Sequence, residues 1–174
     1  MPIALPRPGP GEHLEYYARY IARVSGDDAL VALGVSPAPL IARLAGADPA
    51  RGAQRYAEDK WTVTQVVQHV ADAERVFAYR ALRFARADTT SLPGWDETKW
   101  MPYAGAERRT LDDALAEFAT VRAATLSLFR SLPPEATSRI GVANDAPVSV
   151  RALAWIIAGH ELHHLVVLRE RYDM

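Results

Sequence analysis

Apolar side chains recur at steps of three and four behind a strong helix start, and this periodicity most limits how the chain can fold. Thr62 and Gln65 form a Thr-x-x-Gln capping box, in which each side chain satisfies a backbone N–H that the first helical turn leaves free. The apolar stripe that follows consists of Val66, Val70, Ala73, Phe77, Ala81 and Phe84. This spacing predicts one long amphipathic helix over residues 62–87.

Two more long helices are predicted further along the chain. Thr110 is a candidate N-cap, and Pro133-Pro134 cannot continue a helix, so the apolar stripe between them predicts a helix over residues 111–132. A helix over 149–172 begins near Ser149 and carries Leu153 and Ile157 on its apolar face.

The N-terminal part of the chain is less regular. A first bundle helix is predicted over 28–46, but Gly34, Pro37 and Pro39 are expected to divide it into two pieces. Residues 1–26 form an N-terminal arm, whose segment 14–24 is either a short helix or an extended stretch.

Strand-like alternation of useful length is missing, and there is no internal repeat, so the chain is expected to be one all-α domain over 1–174, a four-helix bundle. Residues 88–109 join two of the helices. Tight helical hairpins use roughly 2–8 residues, whereas 22 extended residues reach on the order of 70 Å. We therefore predict one long crossover connection and two consecutive parallel helices.

Composition excludes several classes of function. The formal net charge is −1 without a basic block, which argues against nucleic acid or an anionic membrane surface as a partner. No run of 18 apolar residues or signal-peptide pattern occurs, so a soluble, cytoplasmic protein is expected. The chain has no cysteine, which excludes disulfides, thiolate ligands and a cysteine nucleophile.

Three of the five histidines are candidate metal ligands. His160 and His164 are one helical turn apart, and both fall within roughly 20° of the centre of the apolar stripe. His69 lies on the apolar side of the 62–87 helix, about as far from its start as His164 is from the end of its own helix. If the two helices are antiparallel, the three imidazoles meet at one level, and neutral imidazole is a common ligand of divalent metals.

Two alternatives compete with this metal site. A core histidine is often only a satisfied polar residue, and His69 taken alone favours that interpretation. His160-Glu161-Leu162-His163-His164 also matches H-E-x-x-H, the zinc-protease motif with a glutamate base. The ten residues after it contain no histidine that could be the third ligand of such a protease, so this alternative is disfavoured. His163 and Glu161 are expected on the flanks, either exposed or orienting a ligand.

The sequence leaves the roles of several other residues undecided. Arg80 falls inside the apolar stripe, and we expect a buried structural pair, with Glu117 as a candidate partner, rather than a catalytic group. Arg122 faces the same choice. Trp95, Asp96 and Trp100 in the 88–109 connection are candidates either for a pocket wall or for a packed tether.

An ordered set of motifs resembles the DinB/YfiT-like bundle proteins over residues 16–172. The matching stretches are Asp59-Lys60-Trp61-Thr62-Val63 before His69, Asp72-Ala73-Glu74-Arg75 through Arg80, Leu92-Pro93-Gly94-Trp95-Asp96, Glu117-Phe118 with Arg122, and Ser149-Val150-Arg151-Ala152-Leu153 through His164. The resemblance implies a four-helix bundle with a long crossover, often a homodimer. It also implies one divalent ion, commonly zinc or nickel, on His69, His160 and His164.

Two classes of function remain from the sequence. The first is a metal-dependent enzyme of the thiol S-transferase or isomerase type. It would act on a small-molecule substrate, for which a low-molecular-weight thiol is a candidate, and hydrolysis is a minor variant of this class. The second is a metal-binding stress or scaffold protein without turnover. An open cavity beside the three histidines would favour the enzyme, because catalytic ions keep a coordination position free.

Overall fold

The computed structural model describes residues 3–35 and 37–174, so residues 1, 2 and 36 of the predicted arm and first helix lie outside the described residues. Three long helices form the body of the fold: α4 (Val63–Ala85), α6 (Leu111–Arg130) and α7 (Val150–Arg171). The capping box forms as the sequence indicates, since Thr62 Oγ1 accepts from Gln65 N and Gln65 Oε1 accepts from Thr62 N.

Two short helices occupy the position of the predicted first bundle helix. These are α2 (Ala29–Leu33), which packs on α6 and α7, and α3 (Pro39–Leu44), which packs on α7. Asp28 caps α2 by accepting a hydrogen bond from Leu30 N. Gly34 ends α2, and Pro39 begins α3 at a position where its missing N–H costs nothing.

The N-terminal arm carries a short helix, α1 (Glu15–Ile21), which packs on α7. Gly159 of α7 makes this approach possible, because a Cβ there would lie only 2.0 Å from the Tyr20 carbonyl oxygen. Further upstream, Trp155 Nε1 donates to the Leu5 carbonyl at 2.9 Å and so ties the arm to the core.

The connectivity is the one that the long 88–109 connection predicts. Gln68 meets Glu117 and Glu74 meets Arg122, so α4 and α6 run parallel. Tyr172 at the end of α7 donates to the Trp61 carbonyl just before α4, which makes α4 and α7 antiparallel. The crossover between α4 and α6 contains a short helix, α5 (Glu97–Trp100). The four-helix bundle with a long crossover is thus confirmed.

A small β-hairpin departs from the strictly all-α expectation. Strands β1 (Ile140–Ala143) and β2 (Ala146–Ser149) pair antiparallel. Asn144 and Asp145 both have positive φ, the conformation that a two-residue hairpin turn requires. Leu92 of the crossover pairs with the free edge of β1, since its N–H donates to the Val142 carbonyl at 3.0 Å. Four-residue strands are too short to show clear alternation in the sequence.

Polar residues divide the apolar core. The first apolar cluster joins the C-terminal half of α4, from Ala73 to Ala85, to the N-terminal half of α7, from Val150 to Ala158. The second cluster joins the start of α4 to the end of α7. His160 and Glu161 lie on α7 between the two clusters. Among the described residues, no helix is long and apolar enough to cross a membrane.

Candidate metal centre

His69, His160 and His164 converge on one point between α4 and α7. The Nε2 atom of His160 is 3.2 Å from Nε2 of His69 and 3.1 Å from Nε2 of His164. One ligand atom from each ring lies within 4.8 Å of the other two. The antiparallel packing of α4 and α7 therefore brings together the three imidazoles that the sequence singled out.

Burial keeps these imidazoles neutral. Removal from water lowers the pKa of His69 to about 4, with a smaller contribution from the nearby His163. Burial also holds the pKa of His160 and of His164 well below the usual 6.5. At neutral pH each ring then keeps a lone pair available for a metal, since only the neutral imidazole is a ligand.

The donor set fits one divalent ion. Two nitrogens that bind a tetrahedral ion at roughly 2.0–2.1 Å lie about 3.3–3.4 Å apart, close to the distances between these Nε2 atoms. Neutral imidazoles have one N–H each, so three facing nitrogens are poorly satisfied by hydrogen bonds alone. Nδ1 of His164 is buried and has no hydrogen-bond partner among the described residues, which leaves that ring without the orienting contact often found behind a ligand.

A cavity of about 630 Å³ opens onto the three histidines. Its walls are largely aromatic and come from α1, the segment just before α4, α4 itself and the crossover. The aromatic residues are Tyr16, Tyr17, Tyr20, Trp61, Phe77 and Trp95. The volume is within the range of ligand sites in proteins. The ligands are therefore open to small molecules on one side.

The crossover contributes to this cavity through Trp95, which packs edge-on against Phe77 at 5.2 Å between ring centroids. Trp100 packs behind Trp95 and lines a smaller neighbouring cavity. Asp96 has a different role, since its carboxylate caps α5 by accepting from Thr98 N and Lys99 N. Of the three candidates for a pocket wall, Trp95 takes that role in the main cavity.

Helix α1 forms the opposite wall, which sequence reasoning did not foresee. The Tyr20 ring lies edge-on to His160, 5.4 Å between centroids, and a similar distance from half-buried His163. On the other flank, Trp61 lies 5.0 Å from the His69 ring. The aromatic pattern of residues 16–20 was visible in the sequence, but the docking of α1 depends on Gly159, far along the chain.

A buried ion cluster lies behind His160 and joins α4, α6 and α7. Arg122 donates to both carboxylate oxygens of Glu74 and, at 2.9 Å, to Glu161 Oε2. Glu161 Oε1 accepts from Leu40 N at 2.9 Å. Glu161 is therefore buried and bound to Arg122, in contrast to its predicted place on the flank, and it is not poised as the general base of an H-E-x-x-H site.

The predicted pair of Arg80 with Glu117 is wrong. Glu117 instead accepts from Arg75 and Arg109. Because parallel α4 and α6 align Gln68 with Glu117, Arg80 lies about three turns beyond that level. Arg80 is buried, donates to the Pro93 carbonyl at 2.7 Å and lies against the Trp95 ring, where it lines the same cavity as the three histidines.

Comparisons with known proteins agree with this architecture. The family model of the DinB superfamily matches residues 32–168. Among solved structures, YfiT from Bacillus subtilis superposes with a TM-score of 0.70 at 20% sequence identity, over 96% of this chain and 93% of that one. YfiT is described as a probable metal-dependent hydrolase with an unusual four-helix bundle topology. A comparison with curated protein sequences finds no match.

Proposed function

Because this chain belongs to the DinB superfamily, we propose that it is a metal-dependent enzyme in which His69, His160 and His164 hold one divalent ion, zinc or nickel. One observation carries this proposal: the three Nε2 atoms meet where the cavity of about 630 Å³ reaches the bundle. Three protein ligands and an open approach are typical of catalytic sites, whereas structural ions are enclosed by four ligands.

The reaction that we favour is group transfer to, or isomerisation with, a small thiol. A divalent ion at this position supplies Lewis acidity, which lowers the pKa of a coordinated thiol or water toward neutrality. The chain has no cysteine, so the thiol has to be a substrate. The aromatic walls contributed by Tyr20, Phe77 and Trp95 would exclude water around the apolar part of that substrate.

Hydrolysis is the second candidate, because the structurally similar YfiT is described as a probable metal-dependent hydrolase. In that case water takes the position of the thiol, and the same three imidazoles are required. The open cavity favours both enzymatic proposals over a scaffold protein without turnover, for which no such access to the ligands would be needed.

Metal analysis tests the site directly. Protein purified without an affinity tag should contain about one equivalent of zinc or nickel, and His164→Ala should lose most of it because two ligands bind far less tightly than three. His163→Ala is the matched control: it removes the neighbouring imidazole, which is outside the converging group, and should keep the metal. Equal metal content in the parent and His164→Ala would contradict the proposal.

A screen of activities separates the two reactions. Small bacterial thiols offered with electrophilic partners test transfer, and ester and amide substrates without thiol test hydrolysis. Either activity should disappear with a chelator and return with added metal. Activity that persists without metal would contradict a metal mechanism.

A homodimer in the cytoplasm remains part of the proposal, and light scattering after size-exclusion chromatography tests the dimer.

A further inference from the structure

Arg80 lines the cavity of the three histidines but is not one of the proposed ligands. It lies on α4 eleven residues after His69, on the same side of the helix. Arg80 is only 3% exposed, and its guanidinium carbon lies 4.9 Å from the centre of the Trp95 ring. A long cationic side chain is thus held inside an aromatic cavity instead of extending to bulk water.

This guanidinium has no carboxylate partner within the described part of the chain, where no Asp or Glu forms an ion pair with it. Its Nη2 donates to the Pro93 carbonyl, and the Tyr17 hydroxyl of α1 is a second, uncharged polar neighbour. The neighbouring Tyr17 hydroxyl supplies no charge at neutral pH, because burial raises its pKa above the usual 10. Arg122, buried to a similar degree, has two carboxylates.

Such a buried cation costs free energy unless an anion joins it. Of the cavity-lining residues in the described ranges 3–35 and 37–174, Glu97 is the carboxylate, and it is exposed and does not pair with Arg80. Burial lowers the pKa of Arg80, yet an arginine remains charged at neutral pH. Free guanidinium donors aimed into a cavity are a means of binding an anion from outside.

We propose that Arg80 binds the carboxylate of an elongated substrate whose opposite end reaches His69, His160 and His164. This inference rests on the proposed function for the reacting end only. A guanidinium can form two parallel hydrogen bonds with a carboxylate or with a phosphate. The carboxylate is favoured because the single positive charge of Arg80 balances a monoanion, whereas a phosphate near neutral pH carries up to two negative charges. The substrate class is thus a monocarboxylate.

The geometry sets the length and character of this substrate. Eleven residues of helix rise about 16 Å, and a helical side chain leans back toward the N-terminus, so the guanidinium and the imidazoles are roughly 10–15 Å apart. Aromatic rings line the way: Phe77 lies 6.2 Å from His160 and 5.2 Å from Trp95, between ring centroids. The middle of the substrate should therefore be apolar.

The probe for this inference is 8-mercaptooctanoate, whose chain extends about as far as three residues of backbone, roughly 10 Å. Its matched control is 8-mercaptooctanamide, which differs only in the charge of the far end. Binding to metal-loaded protein is measured by calorimetry and by tryptophan fluorescence, since two of the four tryptophans, Trp61 and Trp95, line the cavity. We expect the carboxylate to bind at least tenfold more tightly than the amide.

Arg80→Gln should lower the affinity for the carboxylate to about that for the amide. The affinity for the amide should fall much less, because it loses a neutral hydrogen bond and no ion pair, and this would show that the cavity is intact. Arg80→Lys should retain part of the preference for the carboxylate. A shorter thiol acid, 3-mercaptopropanoate, should bind less tightly because it cannot span the two ends. Equal affinities of the carboxylate and the amide for the parent, or a preference that survives in Arg80→Gln, would overturn the inference.

Octanoate and octanamide, which have no thiol, separate this inference from the metal proposal. On metal-free parent protein octanoate should still bind more tightly than octanamide, because that preference depends on Arg80 alone. If metal analysis fails but this preference is found, Arg80 keeps its assigned role while the metal proposal falls. Competition by inorganic phosphate that is stronger than competition by octanoate would instead assign the site to phosphate and overturn the carboxylate.

Discussion

Replacement of Arg122 by glutamine tests how much the buried ion cluster behind His160 contributes to the stability of the fold. The Arg122 side chain bridges Glu74 of α4 and Glu161 of α7, and Glu161 directly follows His160. Arg122 is 5% exposed, and both glutamates are buried. The shorter, neutral glutamine side chain could satisfy at most part of this geometry and would leave two carboxylates in the core without a positive charge.

The expected cost follows from that burial. Removal of one partner from a buried ion pair costs roughly 3–5 kcal/mol, because the remaining charge is uncompensated. Here one cation serves two carboxylates, so we expect the upper part of that range for Arg122→Gln. For a chain of 174 residues, this corresponds to a fall in Tm of roughly 10 °C or more.

Urea unfolding of metal-free protein, followed by circular dichroism, measures the free energy of unfolding and its dependence on denaturant. Arg75→Gln is the matched control: Arg75 is on the adjacent α4 and pairs with Glu117 and Asp72, but its side chain is 47% exposed. A surface pair contributes less than about 1 kcal/mol. Similar losses in the two variants, at unchanged m-values, would refute the role given to the buried cluster.

Three further outcomes are expected. Gly159→Ala should displace α1, because the new Cβ would meet the Tyr20 carbonyl; limited proteolysis should then cut the N-terminal arm faster, and equal rates would contradict this. Arg80→Gln should lower the free energy of unfolding by no more than about 1 kcal/mol, since it removes a buried charge that no carboxylate of the described residues pairs with; a larger loss in urea unfolding would contradict this. Glu12 accepts from Arg151, which lowers its pKa to about 2. The ionised Glu12 side chain therefore stabilises the fold fully above pH 4.5, and this contribution, about 1–3 kcal/mol once solvent screening is allowed for, is lost as the pH falls toward 2. The free energy of unfolding, measured in urea between pH 4.5 and 2, should therefore fall less steeply in Glu12→Gln than in the parent, and equal slopes would contradict this.

The sequence was sufficient for the convergence of the three histidines because helical periodicity is a local property. His160 and His164 share one stripe at any packing angle, and His69 meets them once α4 and α7 are antiparallel. The length of the 88–109 connection indicated the remaining part of the topology, since 22 residues can run along the bundle and a tight hairpin needs far fewer. Occupancy by a metal stays a prediction.

The partners of the buried charges could not be deduced in the same way. Which residue of α6 faces Arg80 depends on the axial register of two packed helices, and a shift of about three turns separates the predicted partner Glu117 from the actual arrangement. Glu161 lies to one side of the apolar stripe of α7, which indicates a flank position. In the structure the start of α3 packs there, with Leu40 N donating to Glu161, and the long Arg122 side chain reaches Glu161 from α6. These contacts make that flank part of the core.

The three histidines and the residues that line their cavity lie in different parts of the chain, and this separation affects how the binding specificity of such a protein can change. The imidazoles belong to α4 and α7, whereas the residues that shape the entrance come largely from α1 and the crossover. Alterations in α1 and the crossover could change which molecules enter the cavity while the three imidazole nitrogens keep their positions. If the proposed metal site is occupied, the same three histidines could then serve different compounds in proteins that differ only in these surrounding segments.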